Sequence, residues 1–133
     1  MSNFNSASAY QSQAVQTANQ PQLLVMLLDR LAVDIARAEK AIEVVDFEAA
    51  NDVLQHAQKI VRMLANSLDP DGFSGGQELL AVYVFLETHL IKANLEKSIT
   101  VVKECADLVR PIHEAWRRVV NASERENANS HVA

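Results

Sequence analysis

At 133 residues, 49% of them apolar and only three Gly and three Pro, the chain suits one domain and lacks the turn residues of a many-stranded sandwich or barrel. A formal charge of −5, from 12 Lys+Arg against 17 Asp+Glu, argues against a general nucleic-acid binder. Cys105 is the only cysteine, which excludes an intramolecular disulfide and a cysteine zinc cluster, and no glycine fingerprint follows a strand pattern as Rossmann and P-loop folds require.

Residues 1–20 are rich in Ser, Asn, Gln and Ala and carry no charge; Phe4, Tyr10 and Val15 are their isolated larger groups. Such a stretch buries too little surface to order itself and reads as a flexible N-terminal arm. It has no basic segment followed by a long apolar run, and nowhere does an apolar run approach the roughly 20 residues of a membrane span. The expectation is a cytoplasmic protein in a reducing compartment, with no direct membrane insertion.

Pro21 then opens a helical pattern, with Leu24, Leu28, Leu31, Ile35, Ala38, Ile42 and Val45 at three- and four-residue spacing. Asp46 is placed to cap a second helix, whose stripe is Ala50, Val53, Ala57, Ile60, Leu64 and Leu68. Residues 69–76, Asp-Pro-Asp-Gly-Phe-Ser-Gly-Gly, hold all three glycines and form the clearest break in the chain. A third helix is expected over about 77–97, with Leu79, Tyr83, Leu86, Leu90 and Ala93 on one face. Ser98 can cap a fourth, with Val102, Cys105, Val109, Ile112, Trp116 and Val119 as its stripe and Pro111 as an internal disruption near Asp107. The fold expected is all-α: an antiparallel four-helix bundle over 21–122, the arm at 1–20, and a frayed polar tail at 123–133.

Catalytic and cofactor chemistry finds little support. A di-iron bundle needs Glu-x-x-His pairs, but the residues three before His56, His89 and His113 are Val53, Leu86 and Arg110. Histidine phosphotransfer modules are four-helix bundles with an exposed His, a Lys three residues on, and then a Gly that makes room for the phosphoryl group. His56 and Lys59 fit, but Ile60 stands in the glycine's place and crowds the imidazole. This reading is kept as an alternative, beside a generic helical adaptor. Cys105 lies on the core stripe and reads as a small buried hydrophobe. No catalytic set, cofactor or metal site is assigned, and no enzyme activity is expected.

An excess of apolar residues is more informative. Leu79 to Leu86 is an unbroken apolar run of eight, enough to cover a helix on every side, whereas a bundle helix needs one apolar face. Helix two adds Leu54, Val61 and Met63 off its assigned stripe. Contiguous exposed apolar surface marks a binding site, and an amphipathic helix laid in a groove is a common way to fill one. The candidate groove residues are Leu54, Val61 and Met63 on helix two, and Val84, Phe85, Ile91 and Leu95 on helix three. Tyr10, with a ring to bury and a hydroxyl for water, is the candidate anchor of an arm that covers a groove when no partner is present.

Several short segments together give the chain a family resemblance. They are Ala9-Tyr10, Val15, Thr17-Ala18, Pro21 and Leu23-Leu24-Val25-Met26-Leu27-Leu28-Asp29 at the front, then Ser67-Leu68-Asp69 with Gly75-Gly76 in the middle. Leu90, Ala93-Asn94-Leu95 and Glu114-Ala115-Trp116 follow. In order and spacing, from about Ala9 to Val120, the chain resembles the FliS family of flagellar secretion chaperones. The resemblance implies a cytoplasmic chaperone for type III flagellar export, a monomer or weak dimer without cofactor. It would bind the C-terminal helical region of flagellin, prevent premature polymerisation, and help present the subunit to the membrane component of the export gate. Tyr10 matches the tyrosine of a family segment that resembles a flap over a flagellin groove and is linked to export-gate docking. The chain departs from the family pattern at Leu28-Asp29-Arg30, where Tyr-Asp-Gly is common, at Gln20 before Pro21, and at Pro111.

Overall fold

The computed structural model describes residues 20–132, which fold into four helices: α1 (Gln20–Glu43), α2 (Phe47–Ser67), α3 (Gly76–Glu96) and α4 (Ile99–Val132). α1 packs on α2 and α4, and α3 packs on α2 and α4, so the helices close a ring in which each touches its two neighbours. Short connections turn the chain back at each end, giving the antiparallel bundle the sequence predicts.

The turns follow from local chemistry. Val45 adopts a left-handed conformation, φ 59°. The Asp46 N–H then bonds the Ala41 carbonyl at 2.8 Å and the Val45 N–H bonds that of Ile42 at 3.0 Å, a Schellman closure of α1. The same Asp46 starts α2, its carboxylate accepting from the Ala49 N–H at 3.1 Å. α3 ends in the same manner at Lys97, φ 50°, with the Ser98 N–H on the Ala93 carbonyl. The Ser98 hydroxyl accepts from the Val101 N–H at 3.2 Å, which is the expected cap of α4.

The core is the expected set with three corrections. Leu28, Leu31, Ile35, Ala57, Leu64, Tyr83, Leu86, Leu90, Val102 and Cys105 are all buried. Leu54 and Val61, assigned from sequence to a groove, are 0% exposed and belong to this core. The physical reason is that α2 faces both α1 and α3. Its buried face is wide enough to hold Ala50, Leu54, Ala57, Val61 and Leu64, a four-three repeat, as well as Ile60. Val45 leaves the stripe because α1 ends before it, and on α4 the inward residue is Val120 rather than Val119. α4 also runs through Pro111 and continues to Val132, where a frayed tail was expected from Ser123. No glycine or further proline interrupts that stretch, and Ala, Glu and Arg favour helix there.

Histidine–carboxylate pairs join three of the four helix contacts. His56 on α2 meets the buried Asp34 of α1, His89 on α3 meets Glu104 of α4 at 2.5 Å, and His113 on α4 meets Asp29 of α1 at 2.5 Å. Arg62–Glu87 at 2.7 Å and Asn94–Asn51 at 2.8 Å serve the fourth, between α2 and α3.

Candidate partner-binding surface

α3 is apolar on two opposite sides. Leu79, Tyr83, Leu86, Leu90 and Ala93 face the core, while Ala81, Val84, Thr88, Ile91 and Leu95 are exposed. Each set repeats at alternating spacings of three and four, offset alternately by two residues and by one, so the two faces point about 160° apart around the helix. The run from Leu79 to Leu86 therefore supplies both faces, as its length requires.

Of the seven groove candidates, five are at the surface: Met63 is 54% exposed, Val84 57%, Phe85 55%, Ile91 40% and Leu95 82%. Leu54 and Val61 are in the core, as described above, and Tyr10 lies outside the described residues. The two edges of the α3 face differ. On the α2 side, Glu87 is held by Arg62 and Asn94 by Asn51. On the α4 side, Phe85 stacks on His89 with ring centroids 5.1 Å apart and planes 20° apart, and Lys92 is exposed. Ala81, Thr88 and Lys92 were absent from the sequence-based candidates, although their spacing from Val84, Ile91 and Leu95 was readable there.

A second concave feature lies at the end of the bundle where the 69–76 loop folds over. It is a cavity of about 500 Å³ whose walls include Leu24, Leu64, Phe73, Leu79, Tyr83 and Trp116, with Pro21 at the point where residues 1–20 join. Burial pushes the Tyr83 hydroxyl up to about 12, so it is neutral at any physiological pH. Only the tertiary fold brings these residues from all four helices together.

The remaining polar groups are structural. His113 and Arg117 both donate to one oxygen of Asp29, at 2.5 and 3.1 Å. Burial pushes the Asp29 carboxyl up, but the hydrogen bonds and charges of His113 and Arg117 outweigh it and hold the group below its ordinary 3.8. His56, the phosphotransfer candidate, has its Nδ1 against the Asp34 carboxylate, which Arg30 also approaches at 3.3 Å. Burial, together with the neighbouring Glu104 carboxylate, pushes the Cys105 thiol up to about 12, the opposite of what a nucleophile needs. Among the described residues no group of three or more His, Cys, Asp or Glu is placed to hold a metal ion, and no helix is long and apolar enough to cross a membrane.

The described residues form a four-helix bundle with an apolar face on α3 that no other helix covers and a cavity at one end, the build of a helical binding protein. Comparison with known proteins makes this specific. The family described as flagellar protein FliS matches residues 2–123. The flagellar secretion chaperone FliS of Bacillus subtilis (strain 168) is 27% identical over 126 residues, 95% of this chain and 94% of that one. That of Escherichia coli (strain K12) is 31% identical, covering 78% of each chain, and that of Salmonella typhimurium is 30% identical, covering 80% of each. A crystal structure of a flagellar chaperone from bacteria shares the fold, with a TM-score of 0.72 at 12% identity over 90% of this chain and 98% of the other. The chain belongs to the FliS family of flagellar secretion chaperones. It is a flagellar export chaperone and not an enzyme, and its partner is a flagellar protein.

Proposed function

We propose that this chaperone works in the cytoplasm, binds the C-terminal helical region of flagellin, prevents its premature polymerisation, and helps deliver it to the membrane component of the export gate. The observation that carries the reading is the outer face of α3. Val84, Phe85, Ile91 and Leu95 expose apolar side chains that no element of the bundle covers, and Met63 of α2 is exposed as well. Filament subunits assemble by packing helix on helix, so a chaperone that offers an apolar helical face occupies the same kind of surface on its client.

Tyr10 is proposed as the anchor of a flap. Pro21 lines the 500 Å³ cavity, and from there the preceding residues back to Tyr10 can reach roughly 35 Å when extended. The cavity offers an aromatic ring apolar walls, and Asp69 and Ser67 also line it and can meet the hydroxyl. Deleting residues 1–16 is expected to leave a folded protein that binds an apolar dye more strongly and shows altered emission from Trp116. Unchanged dye binding and emission would count against the flap.

The decisive experiment is co-purification with full-length flagellin and with flagellin lacking its C-terminal helical segment. A stoichiometric complex with the first and none with the second is expected; binding to neither overturns the reading. Phe85→Asp should weaken the complex on the order of tenfold or more while the helical circular-dichroism signal is kept, because Phe85 is half exposed.

A further inference from the structure

We propose that His56 is a phosphoryl-acceptor site, whose Nε2 takes a phosphoryl group from a small acyl phosphate. The site lies at the α1–α2 contact, apart from the outer face of α3, and is an addition to the chaperone activity. Three described histidines meet carboxylates, and two do so through Nε2: His89 on Glu104 and His113 on Asp29, with side chains 13% and 11% exposed. His56 is the other way round. Its Nδ1 meets Asp34, and its side chain is 49% exposed.

That orientation has a chemical consequence. A carboxylate oxygen accepts and cannot donate, so in the neutral ring the proton sits on Nδ1 and Nε2 carries the lone pair. Asp34 is 1% exposed and held in place by the bundle around it. Its Oδ1 receives no hydrogen bond, although the Arg30 Nε lies 3.3 Å away. A buried carboxylate with one oxygen unspent is suited to stabilise positive charge that forms on the imidazole. The crowding expected from Ile60 does not arise, because Ile60 is 4% exposed and packs in the core. Lys59 is exposed one turn on from His56 along α2, and the Arg30 side chain is half exposed, so two cations are at hand for the phosphoryl oxygens.

The step balances without a further reactant. The Nε2 lone pair attacks phosphorus, an N–P bond forms, and the P–O bond to the acyl group breaks. The acyl group leaves as a carboxylate. The Nδ1 proton stays against Asp34, so the ring becomes an imidazolium paired with a carboxylate, and no proton is taken up or released.

The test uses the full chain and acetyl phosphate at pH 8, with His131→Gln as the parent so that His56, His89 and His113 are the histidines counted. Phosphorus NMR separates Nε2-phosphohistidine from the Nδ1 form, and mass spectrometry at neutral pH locates the residue. The native chain is expected to take one phosphoryl group, on Nε2 of His56, at least about tenfold faster than His56 in the urea-unfolded chain. His56→Gln should abolish the signal, Lys59→Ala should slow its appearance several-fold, and folded Asp34→Asn should label no faster than the unfolded chain. If circular dichroism shows that Asp34→Asn does not fold, Lys59→Ala and the native-to-urea ratio carry the test. No incorporation, incorporation on Nδ1, a native rate equal to that in urea, labelling of His89 and His113 as fast as His56, or a folded Asp34→Asn that labels like the parent would each overturn the proposal.

Discussion

Gly76 opens α3 in a space with no room for a side chain. A Cβ there would lie 2.2 Å from the Pro70 carbonyl oxygen and 2.8 Å from the carbonyl carbon. Both contacts are to backbone, so no rotamer change relieves them. In Gly76→Ala the 69–76 loop must retreat by about 1 Å, a strain in the range of about 1–3 kcal/mol for an overpacked site. Alanine's better helix propensity offsets at most about 1 kcal/mol, and less at a first helical residue. The expected net loss is about 1–2 kcal/mol, or a fall in Tm of roughly 4–7 °C for a chain of this size. Thermal and urea unfolding followed by circular dichroism measure it. The retreating segment includes Asp69, Gly72 and Phe73 of the cavity wall, so emission from Trp116 across that cavity should change as well. Gly75→Ala is the control: its Cβ would meet nothing within 4 Å, so any loss comes from its φ of 87° alone and the cavity should be undisturbed. A Gly76→Ala protein as stable as the parent, with unaltered Trp116 emission, would refute the reasoning.

Val45 holds a left-handed conformation that a β-branched residue adopts only at a cost, so Val45→Gly should stabilise the fold by about 1 kcal/mol; a lower urea midpoint would contradict this. The Asp29 carboxyl is held below its ordinary 3.8, so its contribution is fully present above about pH 4 and is lost as pH falls through the lowered folded value. Because Asp29 is half exposed, Asp29→Asn should cost no more than about 1 kcal/mol at pH 7. The gap between the two proteins should close in acid; a gap that is constant with pH would show that the pairing with His113 and Arg117 is energetically silent. The Cys105 thiol, buried and pushed up to about 12, should resist alkylation at pH 8 in the native protein and react only at the rate of unfolding. Fast labelling without denaturant would show that the α3–α4 side of the core opens locally.

The helices were legible because their signals are local. Asp46 and Ser98 announce their caps by residue type, the glycine-rich loop marks its own break, and the α3 core stripe is readable as a period of 3.6. The resemblance to the chaperone family likewise rested on short segments in order along the chain. Leu54 and Val61 were misassigned because periodicity gives the direction of an apolar face but not its width. How wide a face is buried depends on how many neighbours a helix has, and α2 has two. The same logic left Met63, Val84, Phe85, Ile91 and Leu95 ambiguous between core and surface until the ring order of the helices was known. The end of α4 was misjudged because polarity was taken as a stop signal, although no helix-breaking residue follows Pro111.

The sequence alone determined the fold class, the helix starts and the family, since each depends on residue type and spacing along the chain. Tertiary structure decided which apolar residues are left outside, where the cavity lies and which carboxylate each histidine meets. Those properties belong to pairs of helices brought together from distant parts of the chain, and no single stretch of sequence encodes its own neighbours.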